Sequence, residues 1–108
     1  MPDQPLAVVG IARARADRVE ELKDVLLSFV PLARAEPGCL DFHVHQDSAD
    51  PRVLVLVEAW SSGGHLQRHL DQPYLAAFMA VRMRYLDEDI EVRSLRMQSP
   101  LPAGRGSA

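Results

Sequence analysis

Apolar and polar positions follow two different periods along the chain, and together these periods predict an α+β fold. Between residues 19 and 33, apolar side chains recur every three or four positions, which is typical of one face of a helix. Between residues 39 and 46, apolar and polar side chains alternate, which indicates a strand. The same criteria predict strands over 6–14, 39–46, 53–60 and 89–97, and helices over 17–36, 61–70 and 73–86.

This element order, β-α-β-β-α-α-β, is the split βαβ or ferredoxin-like arrangement with its second helix broken in two. It predicts a four-stranded antiparallel sheet with helices on one face only. Residues 6–97 form one domain in this interpretation. Residues 1–5 are expected to be a flexible lead and residues 98–108 a disordered tail.

Three further features of the helices can be predicted from local patterns. Asp17 and Glu20 have the spacing of a capping box at the start of the first helix. Pro73 suits the first position of the third helix. The inner face of that third helix is predicted to carry Leu75, Phe78, Met79, Met83 and Leu86.

The strands are more apolar than one buried sheet face requires. Five successive apolar residues fill 53–57, and the strand over 6–14 is nearly as apolar. Antiparallel strands with one wet face normally alternate. We therefore expect helices to cover one face of the sheet and a second copy of the chain to cover the other, which predicts a homodimer.

Composition narrows the class of protein. The 108 residues are 47% hydrophobic and 25% charged, and the net charge is −3, without a basic stripe for nucleic acid. No apolar run is long enough to span a bilayer. Cys39 is the single cysteine, and residues 1–10 lack the features of a signal peptide. These features predict a cytoplasmic protein that binds neither nucleic acid nor membrane.

Glu58 and Trp60 lie on the same side of the third strand, where a carboxylate needs a partner or nearby water. One interpretation is structural: a glutamate paired with an arginine at the sheet edge, and a core tryptophan. The other places both residues at the rim and wall of a ligand site.

His65 and His69 are four residues apart and therefore share a helix face. Without a third ligand this pair does not predict a metal site. A neutral imidazole at His69 could instead accept a proton from an acidic substrate. The alternative is an ordinary surface histidine.

Several short segments together resemble the antibiotic biosynthesis monooxygenase domain of the dimeric α+β barrel superfamily. The resemblance covers residues 6 to 97. It is carried by Glu36-Pro37-Gly38-Cys39-Leu40, Glu58-Ala59-Trp60, His69, Pro73-Tyr74 and Phe78, in that order.

The resemblance implies a ligand site between each sheet and its own helices, and oxidation of a quinol or polycyclic phenol by O₂ without a cofactor. It implies that Trp60 is a wall of the site and His69 a proton acceptor, and that Glu58 orients a neighbour. Tyr74 and Phe78 would line the opening, and Met79 and His65 complete the predicted substrate-binding set. The expected partners are a small aromatic substrate, O₂ and a second copy of the chain.

Two alternatives to an oxygenase stay open. Relatives of this fold include haem-degrading enzymes that use an asparagine, and this sequence contains none, which argues against that branch. The chain could instead be a non-catalytic dimeric small-molecule-binding or stress-response module, or an isomerase of a small carbonyl metabolite, because fold alone does not fix function.

Overall fold

The computed structural model describes residues 4–100, and within them the predicted element order is confirmed. The outer parts of the predicted lead and tail, residues 1–3 and 101–108, lie outside the described residues. The strands are β1 (Leu6–Arg13), β2 (Cys39–Gln46), β3 (Val53–Trp60) and β4 (Glu91–Arg96). The helices are α1 (Val19–Arg34), α2 (Gly63–Leu70) and α3 (Pro73–Val81), the last continued by a 3₁₀ turn over Arg82–Arg84.

The four strands form one antiparallel sheet in the order β2-β3-β1-β4. This is the predicted ferredoxin-like sheet, in which β3 and β1 occupy the centre. Its helix-facing side carries the buried core, to which β3 contributes Leu54 and Trp60 and β1 contributes Val8 and Ala12.

The amphipathic face of α1 packs on the sheet as its spacing predicts, with Leu22, Leu26, Phe29 and Ala33 buried. The predicted capping box is wrong. The N-cap residue is Arg18, and its side chain forms no capping bond. Because the helix begins at Val19, Glu21 takes the third helical position, where it forms an ion pair with Arg18 at 2.7 Å.

The chain after α2 follows the predicted breaks, with one correction. Ser62 caps α2, and Pro73 occupies the start of α3. However, α3 ends at Val81, and the change to a 3₁₀ turn rotates Met83 out of the predicted inner face, so it is 41% exposed. Leu86 stays buried because the chain beyond this turn returns to the sheet through a bridge to Ala14.

No helix of the described residues covers the other side of the sheet. Val55 and Val57 of β3 and Val9 of β1 lie there, because they alternate with the helix-facing residues of the same strands. Leu95 of β4, which pairs with Ala7, lies on the same side and is 45% exposed. We call the surface formed by Ala7, Val9, Val55, Val57 and Leu95 the open face.

Among residues 4–100, no helix has both the length and the apolar character needed to cross a membrane.

Candidate functional site

A cavity of about 160 Å³ lies between the helix-facing side of the sheet and the three helices. Most of its wall is apolar, with Leu26 and Phe29 from α1 and Phe78 and Met79 from α3. Within residues 4–100, only two titratable side chains, Glu58 of β3 and His69 of α2, belong to the wall. The cavity therefore combines an apolar interior with one polar end, which is the usual construction of a small-molecule site.

Glu58 is held by the residue two positions further along its strand. Strand side chains at i and i+2 point to the same face, and the Trp60 indole Nε1–H donates to Glu58 Oε1 at 2.9 Å. Both residues are buried, and Trp60 has no exposed surface. This hydrogen bond fixes the carboxylate at the polar end of the cavity.

His69 is the second member of the polar end, and it is only 2% exposed. Its ring stacks on the Trp60 indole, with ring centroids 4.6 Å apart, and meets the Phe42 ring edge-on. The nearest carboxylate oxygen to His69 Nε2 is Glu58 Oε1, at 3.6 Å. This separation exceeds hydrogen-bond length, so Nε2 can interact with a ligand hydroxyl.

The other ring nitrogen of His69 contacts Glu36, which follows the end of α1. Nδ1 lies 3.1 Å from Glu36 Oε1 and 3.2 Å from Oε2. A carboxylate can only accept here, so we assign the proton to Nδ1 and the lone pair to Nε2 in the neutral ring. The Tyr74 hydroxyl also donates to Glu36 Oε2. Glu36 thereby sets the tautomer of His69, and Nε2 lies on the side of Glu58.

Burial changes the ionisation of two of these groups. It raises the pKa of the Glu58 carboxyl above its ordinary value, and Glu36 adds to this effect, although the Trp60 hydrogen bond and His69 oppose it. Burial and the hydrogen bond to Glu36 raise the pKa of the Tyr74 phenol well above its usual range. Tyr74 thus remains a protonated donor, and Glu58 can exchange a proton closer to neutral pH than an exposed glutamate can.

The predicted site residues lie at three positions: in the cavity wall, behind this wall, and at the start of α2. Phe78, Met79, Glu58 and His69 belong to the cavity wall. Trp60 and Tyr74 lie behind this wall, where they contact Glu58, His69 and Glu36.

His65 occupies a different position, although it is on the same helix as His69. Its Nδ1 lies 3.0 Å from Ser61 Oγ and 2.8 Å from Ser62 Oγ, and it does not line the cavity. Its ring also packs on Gly38, where an added Cβ would be 2.2 Å from His65 Cγ. These contacts join the start of α2 to the loop before β2.

One interpretation of the sequence paired Glu58 with an arginine, but in the described part of the chain its partners are Trp60 and His69. His69 is buried, so the interpretation of it as a surface histidine is wrong. Sequence reasoning did not identify Glu36 as a site residue. One signal was available: a carboxylate just after a helix C-terminus is electrostatically unfavourable unless it has another partner.

Other candidate centres are less suited to ligand chemistry. Burial raises the pKa of the Cys39 thiol to about 11, which leaves it a poor nucleophile. Among the described residues no His, Cys, Asp and Glu side chains form a group able to hold a metal ion. The two carboxylates at His69 lie on different edges of the ring and do not converge on one point.

A wider surface depression of about 630 Å³ lies beside the 3₁₀ turn and is lined by several arginines. Three of these four arginine side chains already have partners: Arg18 pairs with Glu21, Arg82 pairs with Asp89, and Arg15 donates to the carbonyl oxygens of Met83 and Leu86. The cavity at Glu58 and His69 is the better candidate.

The raised pKa of Glu58 predicts a measurable effect on stability. A carboxyl whose pKa is higher in the folded state stabilises the fold below the unfolded-state pKa, and this stabilisation is lost as pH rises through the folded-state pKa. The ordinary value is 4.5, so the free energy of unfolding should acquire a declining contribution above about that pH. Glu58→Gln keeps an acceptor for the Trp60 indole and should remove this contribution.

Denaturant unfolding of wild type and Glu58→Gln between pH 4.5 and 8 measures the effect. The difference in unfolding free energy should shift progressively in favour of the variant as pH rises. A difference that is constant across this range would show that Glu58 has no raised pKa.

Comparison with known proteins agrees with the fold. The model of the family described as antibiotic biosynthesis monooxygenase matches residues 5–81, which include Glu36, Glu58, Trp60, His69 and Tyr74. An uncharacterized protein of Synechocystis is 25% identical over 91 residues, which are 84% of this chain and 62% of the relative. The chain thus spans less than two thirds of that relative's length.

Solved structures extend the similarity to almost the whole described chain. A Pseudomonas aeruginosa protein is 25% identical with a TM-score of 0.83, covering 92% of this chain and 99% of its own. A Mycobacterium tuberculosis protein is 26% identical with a TM-score of 0.80, covering 93% and 98%. A proposed antibiotic biosynthesis monooxygenase of Deinococcus radiodurans shares the fold at 21% identity and a TM-score of 0.82, covering 90% and 96%. The match to the family model over most of the chain shows that this protein belongs to the antibiotic biosynthesis monooxygenase family.

Proposed function

We propose that the protein is a cofactor-independent monooxygenase that oxidises a small quinol or phenol with O₂. The observation that supports this proposal is the single polar end of an otherwise apolar cavity, where Glu58 and His69 are the only titratable wall residues in the described part of the chain. An aromatic ring suits the apolar wall, and its hydroxyl suits the polar end. Family membership supports the same reaction class.

The cavity size restricts the substrate. Its volume of about 160 Å³ is close to that of an apolar protein cavity of about 150 Å³ that binds one benzene molecule. Leu70 and Val92 belong to the wall and are also exposed, at 49% and 58%, so they mark a side through which a ligand can extend. One ring inside and a second ring at this opening define the proposed substrate class.

The charges of the wall residues also restrict the charge of the substrate. Among the described residues, neither lysine nor arginine contributes to this cavity. A carboxylate or phosphate on the ligand would therefore be buried beside Glu58 without a partner, which is strongly unfavourable. The geometry favours a neutral substrate that becomes an anion only after it has bound.

In the proposed reaction, His69 accepts the substrate proton. Its Nδ1–H is bound to Glu36, so Nε2 presents its lone pair on the side of Glu58 and the cavity. Proton transfer to this nitrogen gives an imidazolium that lies beside both carboxyl groups. Glu58 hydrogen-bonds the ligand oxygen from the other side and stays in place through the Trp60 indole.

Deprotonation then allows the substrate to reduce O₂ directly. The four electrons that reduce O₂ come from the substrate. One oxygen atom becomes bonded to a ring carbon, and the other leaves as water with two substrate hydrogens. The protein supplies binding, proton transfer and exclusion of water, which the apolar wall provides.

Oxygen uptake tests this function. Protein treated with a chelator should consume O₂ with one-ring or two-ring quinols faster than the quinol alone does. The same proton-transfer pair could serve an isomerase of a small carbonyl metabolite, since His69 and Glu58 approach to 3.6 Å. An isomerase would convert its substrate without O₂, whereas a non-catalytic binding module would bind quinols without turnover.

We also propose that the working unit is a homodimer joined through the open face. Its side chains are apolar, the polar side chains of Arg93, His43 and His45 lie beside them on the outer strands, and no element of the described chain covers them. Burying apolar surface yields about 25 cal/mol per Å², so covering the centre of a sheet gives a substantial driving force for association. The cavity lies on the opposite side of the sheet and stays open to substrate in such a dimer.

A further inference from the structure

Gly10 occupies an unusual position in the middle of β1. It pairs with Leu56 of β3 on one side and with Val92 of β4 on the other. A glycine inside a strand weakens it, because it adds backbone freedom to the unfolded chain and contributes no side chain to packing. The presence of a glycine in the middle of β1 therefore needs a structural or functional explanation.

Backbone conformation does not supply that reason. Among residues 4–100, Gly38 is the only one with a positive φ, so Gly10 has a backbone that any residue can adopt. Crowding by neighbouring atoms does not explain the glycine either. A Cβ on Gly10 would lie 3.7 Å from Ile90 Cδ1 and 3.7 Å from Leu56 Cβ, which are ordinary contacts.

The remaining feature of Gly10 is that it forms part of the cavity wall. On the neighbouring strand, Leu56 pairs with Gly10 and Glu58 pairs with Val8. Gly10 thus lies two strand residues, or roughly 7 Å, from the level of the Glu58 carboxylate on the same sheet face. A flat ring whose hydroxyl reaches Glu58 and His69 would extend over Gly10.

We propose that Gly10 is a specificity-determining residue, whose missing side chain leaves room for the ring of the ligand against the sheet. This inference rests on the proposed function for its substrate class. A one-ring ligand can shift away from a methyl group added at Gly10. A two-ring ligand, already extending to the opening at Leu70 and Val92, has no such freedom.

The test is Gly10→Ala with a one-ring benzoquinol and a two-ring naphthoquinol. The ratio of kcat/KM for the two-ring over the one-ring substrate should fall roughly 10-fold or more, within the range that one methylene produces in an apolar site. Gly63→Ala is a matched control. Its added Cβ would also lie 3.7 Å from its nearest neighbour, Leu6 Cδ1, but Gly63 is not part of the cavity wall. The control should leave the ratio unchanged.

A rescue variant tests the steric cause. Ile90 Cδ1 is one of the atoms nearest to the added Cβ, and Ile90→Val removes it. Gly10→Ala combined with Ile90→Val should therefore recover part of the lost preference for the two-ring substrate.

Binding provides a readout that does not depend on turnover. Trp60, the only tryptophan, stacks on His69, so its fluorescence should report binding of benzoquinone and naphthoquinone. Gly10→Ala should weaken naphthoquinone binding roughly 10-fold more than benzoquinone binding. If quinols show no oxygen uptake but this difference in binding is found, the oxygenase proposal fails and the role of Gly10 stands. Equal effects on both ring sizes, no effect, or no binding of either quinone to wild type would overturn the role of Gly10.

Discussion

His69→Ala should lower kcat/KM for the best quinol substrate by about 10²- to 10⁴-fold, the usual contribution of a general base. The variant removes the group that accepts the substrate proton, and it leaves Glu36 and Glu58 without the imidazole between them. The effect should fall mainly on kcat, because the apolar wall that binds the ring is unchanged. Oxygen uptake across a range of substrate concentrations measures both constants.

The second histidine of α2 provides the comparison. His65→Ala removes a ring that contacts Ser61, Ser62 and Gly38 and lies outside the cavity wall. It should change kcat/KM by no more than about threefold, although it should lower thermal stability by roughly 1 kcal/mol for its lost hydrogen bonds.

Folding must be checked before the His69 result is interpreted. His69 is buried against Trp60 and Phe42, so its truncation also leaves a cavity. His69→Gln fills more of this space than His69→Ala and keeps a polar side-chain terminus. A folded His69→Gln variant should show a similar loss of kcat. Full activity in a folded variant of either kind would remove His69 from the mechanism.

Val57→Arg should convert the proposed homodimer into a monomer. Val57 lies on β3 at the centre of the open face and pairs with Val9 of β1. A guanidinium buried in the dimer without a partner costs about 2–5 kcal/mol, and two-fold symmetry would place this charge in the interface twice. Sedimentation velocity at micromolar concentration should show a dimer for wild type and a monomer for the variant.

Leu27→Arg is the control for this experiment. Leu27 is on α1 and is 48% exposed, so Leu27→Arg places the same charge on the other side of the molecule. This variant should remain dimeric. A monomeric wild type, or an unaffected Val57→Arg dimer, would show that the open face is not the interface.

The sequence predicted the elements well, because their signals are local. The spacing of Leu22, Leu26 and Phe29 defines a helix face without any knowledge of the rest of the chain. The capping box failed because the helix begins at Val19, one residue later than a cap at Asp17 requires, so Arg18 occupies the N-cap position. The prediction that Met83 lies on the inner face of the third helix was wrong, because a change from α to 3₁₀ geometry alters the angle between successive side chains.

The site was only partly predictable, because its contacts join distant parts of the chain. Helical spacing places His65 and His69 on one face, yet the serines at the start of α2 bind the first and leave the second at the cavity. Glu36 lies 33 residues before His69 and reaches it only after α2 has packed above the sheet. Gly10 could not be distinguished from any other strand glycine until the cavity beside it was visible.

The central claim is that this cavity allows a deprotonated quinol to react with O₂ without a cofactor. Product analysis by mass spectrometry, on chelator-treated protein with the quinol that gives the fastest oxygen uptake, tests this claim most directly. The account predicts a product that has gained one oxygen atom and lost two hydrogens, without accumulation of hydrogen peroxide. A product that has only lost two hydrogens while peroxide accumulates, or no enzyme-dependent product from any one-ring or two-ring quinol, would contradict it.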